Sequence, residues 1–212
     1  MITHLLVTAL LSSGGTPTPT PTPTPSDPYA AFLGMAKEQL RIGASNEQDV
    51  LLTGYIGAAV KYIERETNQV LLNRSLKITK DCWPENGVLT LRKRPVVSVD
   101  TVHYYASDGT RTLLGSTEYQ VSIGEFQTRI VPSPEKTWPE LQSRRLDAIE
   151  IDATFGYGAA IADLPEDLRH VILLLVAHWD DNRGAVAVGT ISKELELSVD
   201  ALLEHFLIPS VG

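Results

Sequence analysis

Ala148 to Trp179 reads AIEIDATFGYGAAIADLPEDLRHVILLLVAHW, and within it the hydrophobic period changes. Ala148 to Phe155 alternates apolar and polar residues, the period of two expected of a half-buried strand. Beyond Ala160 the spacing is helical. Asp163-Leu164-Pro165-Glu166 joins a capping candidate to an early-helix proline, and Leu168 to Trp179 is apolar on nearly every side. Such a helix is predicted to be buried on most sides, to reach about Arg183 and to stop at Gly184. Between the halves, Gly156-Tyr157-Gly158 lacks the lysine of a phosphate-binding loop and reads as a strand-to-helix junction where flexible glycines are expected.

Upstream, Leu71 to about Ala160 keeps the period of two. Leu76 to Ile78, Val88 to Leu91, Val96 to Tyr105, Tyr119 to Ile123, Arg129 to Val131 and Ala148 to Phe155 read as six strands, separated by turn signals such as Glu85-Asn86-Gly87 and Asp108-Gly109. Further upstream the period is helical again. Tyr29, Phe32, Leu33, Ala36 and Leu40 mark one helix; Ser45 with Gln48 is a capping-box pattern opening a second, which carries a wide apolar stripe to Asn68. A last short helix, Val199 to Leu207, carries Leu202, Leu203 and Phe206.

Neither the first helix pair nor the last encloses a core alone, so the two are expected to pack together. The sequence therefore predicts an α+β fold in which an α-helical core bundle is interrupted by an inserted small antiparallel β domain. Residues 29–70 and 161–212 form the two parts of the bundle, 71–160 the insertion, and 1–28 an extended Pro-rich N-terminal arm. In the arm, Ile2 to Leu11 (ITHLLVTALL) is apolar but far shorter than the ~20 residues needed to cross a bilayer, and no Lys or Arg precedes it as a secretory signal requires. Five Thr-Pro dipeptides from Thr16 to Pro25 follow. Alternate prolines fix φ and remove backbone donors, so this repeat is expected to be an extended spacer of roughly 30 Å.

The 212 residues carry a net charge of −8, which argues against a general nucleic-acid binder. From Asp163 onward nine acids face three bases, whereas the β module balances eleven against eleven. Arg92-Lys93-Arg94 is the module's only basic cluster, a solvated strand end or a contact for acid groups or DNA phosphate. A single cysteine, Cys82, excludes an intrachain disulfide, points to a reducing compartment and, with five scattered histidines, gives poor material for zinc. No nucleophile elbow, Walker loop, dinucleotide fingerprint or zinc-protease motif occurs. His178 and Asp181 lie three apart on one helical face, but two ligands do not make a metal site. His103 reads as an outward-facing strand residue and Cys82 as a structural thiol.

The ordered series of motifs resembles the head-tail connector, or adaptor, proteins of long-tailed bacteriophages and gene transfer agents. It runs through Ala58-Ala59-x-x-Tyr62-Ile63-Glu64, Trp83-Pro84, Leu89-x-Leu91-x-x-x-Pro95-Val96, Tyr104-Tyr105-x-x-Asp108-Gly109-Thr110, Trp138-Pro139, Phe155-Gly156-Tyr157-Gly158, Leu164-Pro165-Glu166-Asp167 and Leu173 to Trp179 followed by Asn182-Arg183. Asp180 stands where the family often has an aromatic residue.

The resemblance implies a structural virion protein, assembled in the bacterial cytoplasm. It would form a homo-oligomeric ring, commonly of twelve copies, between the portal and the stopper or tail components, with no reaction, cofactor, metal or membrane. Double-stranded DNA would pass without specific binding. Twelve copies at −8 each carry about −96, and an acidic lumen lets DNA through because phosphate finds no counter-charge. Asp180, Asp181, Glu194 and Glu196 are the candidate lumen lining. Leu5, Leu6, Leu10, Trp179, Arg183, Leu203 and Phe206 are candidates for ring or portal contacts, and Arg92, Lys93 and Arg94 for a basic contact. Ile2 to Leu11 is expected to dock on an adjoining subunit or the portal, with the repeat as its spacer. Two other readings stand beside this one. An exported β-domain binding module would hold carbohydrate on Trp83, Trp138 and tyrosines behind a Thr-Pro linker. A small hydrolase would use His103 with a nearby acid.

Overall fold

The structure, a computed structural model, describes residues 28–43, 46–183 and 193–207. The stripe at Tyr29 to Leu40 forms α1 (Ala30–Gln39), and the second stripe forms α2 (Asp49–Thr67). The capping-box expectation needs correction. Helix α2 starts after Gln48, which is itself the N-cap and makes no side-chain cap bond, while Ser45 lies outside the described residues. Asn68, in the left-handed conformation at φ 53°, ends the helix as expected.

Seven strands follow among the described residues: β1 (Arg74–Lys80), β2 (Leu89–Leu91), β3 (Val96–Tyr105), β4 (Arg111–Leu113), β5 (Tyr119–Ile123), β6 (Thr128–Pro132) and β7 (Ile149–Phe155). Six match the sequence reading and β4 is additional. One sheet has the order β1-β7-β3-β4 and the other β2-β6-β5, with every strand pair antiparallel. In β7 the alternation noted above becomes structure: Ile149, Ile151, Ala153 and Phe155 are buried, and Glu150, Asp152 and Thr154 face the other way. The inner faces of both sheets enclose a core that includes Leu89, Val102, Ile130, Ile151 and Phe155.

A 3-10 turn, Ile161–Asp163, leads into α3 (Glu166–Asp181), and α4 (Lys193–Leu203) continues into a second 3-10 turn, Glu204–Phe206. Pro165 is the N-cap of α3, so Asp163 does not cap that helix; its carboxylate instead accepts the Ala160 N–H at 2.9 Å, holding the turn before it. Helix α4 begins six residues earlier than the Val199 start expected from the sequence. Phe32, Leu52, Ile56, Ile63, Val171, Leu175, Trp179 and Val199 belong to one buried cluster, so helices from both ends of the chain share a core distinct from that of the sheets. The expected α+β architecture is present.

Candidate assembly surfaces

The seam between bundle and β module is built from three chain segments. Residues 69–73 run between the Arg94-Pro95 turn and Gly156-Tyr157-Gly158: the Val70 N–H donates to the Arg94 carbonyl at 2.9 Å, Tyr157 N–H to the Leu71 carbonyl at 2.9 Å and Asn73 N–H to the Gly158 carbonyl at 2.8 Å. Glu64, near the end of α2, accepts the Leu71 N–H at 2.9 Å through one oxygen and the Arg74 guanidinium at 3.1 Å through the other. These bonds tie helix to strand and account for Glu64 in the motif series.

The glycines of Gly156-Tyr157-Gly158 serve close approach rather than flexibility, which corrects the sequence reading. Gly156 sits at φ +134°, where a Cβ would lie 2.5 Å from the Asn73 nitrogen; a Cβ on Gly158 would lie 2.2 Å from that of Asp163. Beside them, the Tyr157 hydroxyl donates to Gln69 at 2.6 Å, and Gln69 and Arg94 both donate to the Phe206 carbonyl, at 2.7 and 2.8 Å. Burial pushes the Tyr157 phenol up, with the Arg94 charge opposing.

Several candidate contacts are therefore engaged inside the chain. Arg94 is only 7% exposed and clamps the carboxyl-terminal turn, so the basic cluster is not one surface: Arg92 is exposed, Lys93 half-buried and Arg94 internal. Trp179 and Leu203 are 2% and 1% exposed. Both fill the helical core, Trp179 with its ring 6.2 Å from that of Tyr55, so neither is available to a neighbouring subunit. Phe206 is half-buried with its carbonyl in the clamp. Arg183 is exposed but bonds Asp180 and, at 2.6 Å, the Gln48 side chain, which compensates Asp180 and leaves Asp181, Glu194 and Glu196 as the exposed acids of the proposed lining. Leu5, Leu6 and Leu10 lie outside the described residues.

The two Trp-Pro motifs form one unit. Trp83 and Trp138 stack at 4.3 Å with 4° between their planes; the Trp83 indole donates to the Pro139 carbonyl at 2.9 Å and Trp138 to that of Gly87 at 3.0 Å. Each ring covers one face of the other, and both pack partly buried against the core of the sheets. The Nδ1 of His103 has no hydrogen-bond partner, and Glu150, opposite it in register, is held by Lys77 and Arg111, so no oriented acid-base pair forms there. Among the described residues no three of His, Cys, Asp and Glu come together, and no helix is long and apolar enough to cross a membrane.

Apolar surface is left open elsewhere. Among the described residues, strand β5 pairs only with β6 and forms a sheet edge. Val121 stands opposite the buried Ile130, itself opposite the buried Leu89, so Val121 extends the core-facing side of this sheet, and Ile123 does the same opposite Thr128. Yet Val121 and Ile123 are 38% and 51% exposed, and Phe126, in the turn that follows, is 63% exposed. A cavity of about 530 Å³ adjoins them, lined in part by Ile123, Phe126, Arg94, Val96, Pro165 and Phe206.

The described residues thus form a helical bundle interrupted by a pair of antiparallel sheets. Residues 31–112 match the family model described as "Phage gp6-like head-tail connector protein". The chain is also similar to one in "Neck of empty GTA particle computed with C6 symmetry", with TM-score 0.69 and 25% identity over 85% of this chain and 90% of that one. A chain in "Neck of native GTA particle computed with C12 symmetry" gives TM-score 0.64 and 25% identity, covering 84% and 92%. One in "Virion of native gene transfer agent (GTA) particle" gives 0.68 and 24%, covering 92% and 95%. No curated protein matches the sequence. The resemblance to the head-tail connector family read from the sequence is borne out, and the chain shares its fold with chains of gene transfer agent neck particles.

Proposed function

We propose that the chain is a non-catalytic connector subunit that forms a ring, of twelve copies, between the portal and the stopper or tail proteins of a tailed phage-like particle, with DNA passing through its centre. The observation that carries this reading is the likeness, over 85% of the chain, to a protein of a gene transfer agent neck. The helical core of 29–70 and 161–212 supplies the ring body, and the inserted module 71–160 presents surface to the next component. Asp181, Glu194 and Glu196 line the passage, with Asp180 compensated by Arg183. Tagging the chain in its host, isolating DNA-filled particles and measuring it beside the portal by mass spectrometry tests this. Recovery at equal copy number with the portal is expected; absence from particles overturns the reading.

A further inference from the structure

We propose that the apolar edge formed by β5, Phe126 and the adjoining cavity receives Ile2 to Leu11 of the neighbouring copy in the ring. This rests on the ring reading above. The receiving side is an unfinished core face: the sheet surface that buries Leu89 and Ile130 continues to Val121 and Ile123, which stay 38% and 51% exposed, and among the described residues the outer edge of β5 has no strand beside it. An open sheet edge with exposed apolar side chains is a site of addition for an extended segment. The segment that fits lies in the 27 residues before Pro28, where Ile2, Leu5, Leu6, Val7, Leu10 and Leu11 make an apolar stretch with no charged side chain among Ile2 to Leu11 except a titratable His4.

The spacer decides between the chain's own cavity and the next one. The Pro28 carbonyl accepts the Ile161 N–H at 3.3 Å, and Pro165, four residues further on, is on the cavity rim. The arm therefore starts within about 20 Å of its own cavity. A ten-residue Thr-Pro repeat at ~3.1 Å per residue covers about 31 Å and cannot fold back over so short a gap without a reversal that alternate prolines oppose. A compact chain of this size is about 40 Å across. The repeat together with Ser12 to Gly15, Ser26 and Asp27 reaches about 50 Å, enough for the equivalent cavity one subunit away. Each subunit would then hold the next in the same sense, the heterologous contact that closes a ring.

The test uses full-length chain in particles. One form carries the photoreactive residue benzoylphenylalanine in place of Phe126, and a second, co-expressed form carries a carboxyl-terminal tag and no probe. Irradiation of purified particles is expected to join the probe to residues 2–11 of the tagged form. Leu5→Asp with Leu6→Asp in the tagged form should lower that yield, per incorporated copy, by more than about tenfold. Crosslinks confined to the probe-bearing chain, crosslinks to a different protein, or no crosslink from a chain that is present in particles would each overturn the docking. Absence of the chain from particles would instead bring down the ring reading, and the docking with it.

Discussion

Glu150 shows how one residue can hold a sheet together across several strands. Its carboxylate, on β7, takes Lys77 of β1 at 3.1 Å and Arg111 of β4 at 2.8 Å, while the Tyr105 hydroxyl of β3 donates to its other oxygen at 3.3 Å. The Arg111 hydrogen bonds first, and Lys77 next, hold the acid at about 2, below the usual glutamate value of 4.5. Because the folded value is the lower one, the unfolded chain binds the proton more readily between these limits. The stabilisation is thus complete above about 4.5 and is lost as the pH falls through about 2. Urea midpoints of wild type and Glu150→Gln should differ at pH 7 in favour of wild type and converge as the pH is lowered through that window; a gap unchanged from pH 7 to 2.5 would refute this role. Arg94 teaches the opposite lesson about legibility. In the sequence it is the third member of a basic run, and nothing local separates it from Arg92. Its burial depends on the Phe206 carbonyl, 112 residues away, a partner that no local pattern announces.

At the scale of elements, the turn Gly156-Tyr157-Gly158 fixes how the β module meets the bundle. Both glycines sit where any Cβ enters another segment: the Asn73 backbone for Gly156 and Asp163 for Gly158. Gly158→Ala must push Asp163 away and loosen its bond to the Ala160 N–H, so a loss of about 1–3 kcal/mol is expected, as for other overpacked sites. Ala159→Ser, at the exposed position after Gly158, should leave the melting midpoint unchanged. Calorimetry on the full chain checks the pair, and a Gly158→Ala midpoint equal to wild type would show that the turn tolerates a side chain. The strands and helices flanking this turn were readable because long segments carry a clear period, as β7 and α3 do. Strand β4 was not, since Arg111-Thr112-Leu113 is too short to show one and is recruited by pairing with His103 to Tyr105. The early start of α4 was hidden for a different reason: Lys193-Glu194-Leu195-Glu196-Leu197 alternates polar and apolar residues and imitates a strand until Val199 and Leu203 find the helical core. The same core explains why Trp179 and Leu203 could not be recognised as internal: an apolar helical stripe looks alike whether its own bundle or a neighbour covers it.

For the whole molecule, the charge distribution carries a prediction about DNA passage. The −8 balance is concentrated beyond Asp163, and Asp181, Glu194 and Glu196 remain exposed after Arg183 has engaged Asp180. If these acids line the proposed channel, replacing them with lysine turns a repelling wall into one that gathers phosphate, with the change repeated in every subunit of the ring. The combined variant Asp181→Lys, Glu194→Lys and Glu196→Lys alters exposed side chains only, but Glu194 and Glu196 stand in the first turn of α4, where acids favour the helix dipole, so a loss of about 1–2 kcal/mol in unfolding stability is expected. DNA release from particles should slow, and the delay should shrink as salt rises, because contacts with phosphate weaken steeply with ionic strength. A stopped-flow record of released DNA at 50 and 300 mM salt, taken on particles with equal connector content, separates the cases. Slow release at about 50 mM that recovers at about 300 mM places the acids on the DNA path. Unchanged release at both, from particles shown to contain the variant, puts them away from the channel and assigns the acidity of this end to the outer surface of the ring.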